Sequence, residues 1–235
     1  MRVRDVSLAA ALASVPALAT QSVWWSLLVV VTAAILSANA RVAAVLVAYW
    51  LPAAIGAPWP AAGLAAAAVW TLVGAQFKAV LSWRPRMSPK TATVAGAMGL
   101  AFGGAALLIQ PSSAFGSLWL PVARPHTVVI AMAVVGLAAF NAIGEEILWR
   151  KVLPSLMSSG GEYWRVALVA LSFGIAHLHG IPSGMTGVGL AAAYSYFLTT
   201  LHQRRGFAAV VAAHFVTDVV LFSAVAATTT FALDF

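Results

Sequence analysis

The chain alternates long apolar runs with short polar breaks. Apolar segments fall near residues 8–19, 22–38, 42–55, 61–77, 91–110, 127–148, 163–179, 185–201 and 207–228. They are rich in Ala, Leu and Val, and Ala and Leu are strong helix formers. A lipid-facing β-barrel would instead show alternating strands of about ten residues. A spanning helix needs about 20 mostly apolar residues, and the runs supply roughly seven to nine of them. The pattern predicts an all-α, polytopic transmembrane helical bundle forming a single membrane domain over 1–235. The early runs are short, so 8–38 is either one tilted helix or a helical hairpin. The 127–148 run continues as helix to about Met157, and Ser158-Ser159-Gly160-Gly161 is a turn.

Composition strengthens this picture. Hydrophobic residues fill 62% of 235 positions and charged residues only 8%, against roughly 25% charged in a soluble domain. So few charges cannot cover a water-facing surface, so the lipid bilayer is the solvent. The net charge is +7. Lys78, Arg84, Arg86 and Lys90, then Arg150 and Lys151, then Arg204 and Arg205 are each separated by two spans. All three clusters therefore fit the cytoplasmic face by the positive-inside rule. No basic cluster is large enough to fit a nucleic acid. There is no cysteine, which excludes disulfides, thiolate metal sites and a thiol nucleophile. Arg2 and Arg4 before an apolar run ending at Ala19 resemble a signal peptide, but the run reads better as an uncleaved first helix.

The chemistry concentrates in the second half. Of six acids, Glu145, Glu146 and Asp218 lie in or at the edge of apolar runs. His177 and His214 lie within runs, and His179 near the end of one. An ionisable group in a membrane helix costs about 2.5–3.5 kcal/mol or more, so it marks a functional site by default. Glu146 and Arg150 are four apart, on one helix face, in the favourable order for an ion pair. Glu145 is turned about 100° away. His214 and Asp218 are also four apart. Glu145 and His177 lie about 16 residues either side of the Gly160-Gly161 turn, so an antiparallel hairpin sets them at similar depth. His214 lies about ten residues past the His202–Arg205 break, so three helices can converge slightly inside the cytoplasmic boundary. Phe173 reads as core packing. Trp149 and Trp164, beside charged residues, read as interfacial anchors.

Three motifs follow in order: Glu145-Glu146-x-x-x-Arg150, Phe173-x-x-x-His177 and His214-x-x-x-Asp218. Together, on successive membrane helices, they resemble the CAAX-protease and bacteriocin-processing family of intramembrane proteases. The resemblance covers about Asn141 to Asp218. Residues 1–120 form helices of unassigned role, and 121–235 carry the motifs. The last motif position is commonly Asn in prenyl-protein members and is Asp218 here. The resemblance implies that Glu145 is general base on a water and that His177 helps position it. It implies that His214 and Asp218 stabilise the oxyanion, with Glu146, Arg150 and Phe173 in support. The implied partner is a membrane-associated protein or peptide substrate, cut at a leader or C-terminal tail.

Metal dependence stays open at this point. Glu145, His177, His214 and Asp218 are all zinc ligands by type, and two His with a carboxylate is a catalytic zinc set, but no H-E-x-x-H occurs. A glutamate mechanism with no cofactor is favoured over zinc or another divalent metal. Competing readings are a transporter or proton relay, a haem carrier using His177 and His214, and a non-catalytic peptide-binding scaffold. The Ala-rich composition associates the chain with a bacterial inner membrane. Substrate identity and oligomeric state are not legible.

Overall fold

The computed structural model describes residues 3–18, 22–55, 59–74, 87–110, 127–157 and 161–231. Lys78, Arg84, Arg86, Arg2 and the 158–160 turn lie outside the described residues. Among those described, every regular element is helical: α1 (Val3–Leu18), α2 (Val23–Ser37), α3 (Ala40–Ala54), α4 (Trp59–Gly74), α5 (Pro89–Ile109), α6 (Thr127–Ile147), α7 (Leu153–Leu156), α8 (Glu162–Ala176), α9 (Gly184–Arg205) and α10 (Phe207–Phe231). The helix starts are set by local chemistry. Ser22 Oγ accepts from Trp25 N, Asn39 Oδ1 from Arg41 N and Ser88 Oγ from Thr91 N, each satisfying an orphan donor of a first turn.

Among the described residues, three helical rods are long and apolar enough to cross a membrane: Pro89–Ile109, Thr127–Leu156 and Phe207–Thr228. Val23–Ser37, Ala40–Ala54 and Ala61–Leu72 are shorter apolar helices. A 15-residue helix is about 22 Å long, below the ~30 Å hydrocarbon thickness. Residues 8–38 are not one helix: α1 and α2 pack against each other as a pair.

Among the described residues the buried apolar side chains fall into three clusters, the smallest formed by Ala106, Leu221 and Val225. The largest joins α1–α4 to the end of the α6 rod and to α8, through Leu12, Leu46, Tyr49, Trp149 and Phe173. A second joins α5, α9 and α10 through Ala95, Tyr194, Leu198 and Ala213. The α5–α10 pairing depends on small residues. A Cβ on Gly99 would lie 2.4 Å from the Ala213 carbonyl oxygen, and one on Gly103 2.9 Å from Val220 Cβ. This is the small-residue route to close helix contact in lipid. Gly174 does the same for α8 against α9, where its Cβ would lie 2.6 Å from the Val188 oxygen.

Trp149 is no interfacial anchor: it is 1% exposed and meets Phe173 edge-on at 5.7 Å between centroids. In the first half, Asp5 of α1 is also buried, only 3% exposed.

Candidate active site

The α6 rod presents both glutamates inward. Asn141, Glu145 and Glu146 are all buried in its last turns. A wide π-helical turn follows over Leu148–Val152, where Leu153 N donates to Leu148 O, five residues back. Pro154 explains it. Proline has no N–H, and its ring crowds the carbonyl four residues earlier, here that of Arg150. The chain widens instead of breaking, and Arg150 stays on the Glu146 face. Its Nε lies 3.1 Å from Glu146 Oε2, with both side chains almost fully buried.

From α10, His214 enters the same space. Its Nδ1 donates to Glu146 Oε1 at 2.7 Å. Its Nε2 faces Glu145 Oε2 at 3.7 Å and Asp218 Oδ1 at 3.5 Å. Those separations exceed a direct N–H···O bond, so Nε2 stays available to a third acceptor. Both ring nitrogens face carboxylates. A neutral imidazole has one donor and an imidazolium two, so only the doubly protonated ring serves both sides. Asp218 is fixed from α6, where Asn141 Nδ2 donates to its Oδ2 at 3.1 Å.

His177 closes α8, where the helix tightens to a 3₁₀ turn over His177–His179. Its Nδ1 lies 2.8 Å from Phe173 O. A carbonyl only accepts, so Nδ1 carries the proton and Nε2 is an acceptor. The Phe173 ring stacks on His177 at 4.5 Å and meets His214 edge-on at 6.0 Å. The Arg150 guanidinium carbon stands 5.6 Å from its centre. Phe173 is thus core, as expected, and also the spacer holding both histidines.

His177, His214, Asp218 and Phe173 line one small pocket of about 30 Å³, walled mostly by apolar residues of α5, α9 and α10. Glu145 approaches through its 3.7 Å contact with His214. Glu146 and Arg150 lie behind that imidazole. All seven candidate residues therefore gather in one region, from α6, α8 and α10.

Four contributors were not singled out from sequence. Asn141 precedes Glu145 by four residues and so shares its face, a signal present in the spacing. Thr217 Oγ1 lies 3.1 Å from both Gly99 O and Ala213 O. It gives its proton to one of these carbonyls, so the Tyr194 hydroxyl donates to Thr217, at 2.6 Å. Tyr194 also stands edge-on to His214 at 5.9 Å. Tyr49, from α3, is fully buried within electrostatic range of Glu145. Among the described residues no three His, Asp or Glu side chains are arranged to hold a metal ion.

Fold and site together define a class: an integral membrane helical bundle that gathers its acids and histidines in its interior. The family follows from comparison. Residues 127–220 match the family model described as type II CAAX prenyl endopeptidase Rce1-like, a segment that spans all three motifs. It contains Glu145, Glu146, Arg150, Phe173, His177, His214 and Asp218. No curated protein and no solved structure matches the chain.

Proposed function

We propose that the chain is an intramembrane endopeptidase that hydrolyses a peptide bond of a membrane-associated protein with a water activated by Glu145. The observation that supports this most is the orientation of His214. Glu146 takes Nδ1, so Nε2 is directed to the space shared with Glu145 and Asp218. The Rce1-like match supports a peptidase, and the mechanism is our own reading.

In this reading Glu145 removes a proton from water, and the hydroxide attacks the scissile carbonyl. The carbonyl π pair moves to oxygen, and the oxyanion accepts a hydrogen bond from His214 Nε2–H. Such a donor in a water-poor site stabilises the developing charge. Collapse of the intermediate breaks the C–N bond, and the proton held by Glu145 passes to the leaving amine. His177 orients the water through its Nε2 acceptor. Asp218, held by Asn141, keeps His214 doubly protonated and aligned. Arg150 compensates the buried Glu146. No step uses a metal. The substrate enters from the cytoplasmic side of a bacterial inner membrane and is trimmed at a leader or C-terminal tail.

The test compares protein termini in native membranes carrying wild type or Glu145→Gln. Accumulation of a precursor with an uncut leader or tail supports the reading and names the substrate. Unchanged termini, with the variant folded, remove it in favour of transport or non-catalytic peptide binding.

A further inference from the structure

A second pocket lies on the far side of the Glu146–Arg150 pair. It is a cavity of about 140 Å³ between the end of the α6 rod, the start of α8 and the end of α9. Arg150, Arg165 and His202 bring positive or donor groups to it, and Trp149, Pro154 and Val169 give it apolar walls. The one acid among its lining residues, Glu162, is engaged: its Oε1 accepts from Gln203 Nε2 at 3.0 Å.

Arg150 is the informative residue. It is 5% exposed, and only its Nε faces a carboxylate. Its Nη1 and Nη2 are buried without a hydrogen-bond partner among the described residues. A guanidinium carries five N–H donors, and burying them unmet costs stability. The Phe173 face offsets part of that. What the remaining N–H groups fit best is an oxyanion accepting two bonds at once.

The location narrows the ligand. The pocket sits among helix ends that also carry Lys151, Arg204 and Arg205, the level of the cytoplasmic headgroups by the positive-inside rule. Basic pockets between helices at that level suit lipid phosphate. Trp149, Pro154 and Val169 offer an apolar wall for whatever carries it.

We propose that this pocket, built on Arg150, Arg165 and His202, is a binding site for a phosphate group, supplied by an anionic phospholipid headgroup or by free phosphate. The site does not depend on the protease reading. It adjoins the candidate active site, because the guanidinium that meets the phosphate also holds Glu146, and Glu146 holds His214.

The experiment follows thermal unfolding of the full chain in neutral detergent. It is titrated with phosphatidylglycerol, phosphatidylcholine or inorganic phosphate, since a ligand that binds the folded state raises the midpoint saturably. Arg165 is exposed, so Arg165→Gln leaves the core intact. His202→Gln is a second variant, and Arg204→Gln is the control outside the pocket. We expect phosphatidylglycerol to raise the wild-type midpoint. Arg165→Gln and His202→Gln should need about five- to tenfold more lipid, the loss of one charge-assisted contact, and Arg204→Gln should titrate as wild type. The same dependence with inorganic phosphate alone assigns the site to free phosphate. No shift in wild type, equal weakening by all three variants, or wild-type titration of both pocket variants would overturn the proposal.

Discussion

The interior of α1–α4 and the interior formed by α6, α8 and α10 are filled with different materials. Around α1–α4 the buried side chains are chiefly Leu8, Leu12, Val30, Leu46 and Tyr49, with Asp5 the exception. Between α6, α8 and α10 they are Glu145, Glu146, Arg150, His214 and Asp218, tied by contacts of 2.7–3.7 Å. An apolar interior asks mainly for volume, and it tolerates exchange at modest cost. A buried polar network asks that every donor meet an acceptor, and a missing member leaves the others stranded. The first region therefore reads as a scaffold. It holds α6 and α8 in place through packing of α4 on α6 and α1 on α8, and Arg4 Nη2 donates to Leu156 O at 3.3 Å.

Substitutions can break or sharpen this contrast. The largest expected effect is Glu146→Ala. It strands the Arg150 cation and frees His214 Nδ1 at once, and loss of one partner of a buried ion pair costs about 3–5 kcal/mol. A large drop in the thermal midpoint in detergent checks this. Leu12→Ala comes next. It should lower stability by about 2–5 kcal/mol through the cavity it leaves, while processing per folded molecule stays at the wild-type level. His214→Gln should act on processing far more than Leu12→Ala does. With the oxyanion donor gone, processing should fall by about 10²–10³-fold, measured as the uncut fraction at matched folded amounts. Asn141→Ala removes one buried hydrogen bond to Asp218, worth about 1 kcal/mol, with a correspondingly small loss of processing. A chelator added to the membranes should change nothing if Glu145 alone activates the water. Loss of processing, restored by a divalent metal, would move the account to the metal set.

Much of the site was legible in the sequence because charge is rare in this chain. Glu145, His177, His214 and Asp218 stand out against Ala, Val and Leu, and helical spacing pairs Glu146 with Arg150 and His214 with Asp218. Spacing along one helix does not give rotation between helices. That is why Glu146 reads as a partner of Arg150 alone, when it also binds His214. Neutral polar residues stand out less, so the parts played by Asn141, Thr217 and Tyr194 emerge only from how the helices pack. Trp149 misleads for a related reason. Next to Arg150 it looks interfacial, but the guanidinium itself is buried. The fold followed from apolar run lengths. The wide turn at Leu148–Val152 was foreshadowed only by Pro154.

The most direct measurement places Glu145→Gln beside Leu12→Ala in the same membranes, at equal amounts of folded chain, and reads the termini of all membrane-associated proteins. The account predicts that an uncut precursor accumulates with Glu145→Gln and not with Leu12→Ala. A precursor in both strains, or in neither, would contradict the claim that the chemistry resides in α6, α8 and α10 and the scaffold in α1–α4.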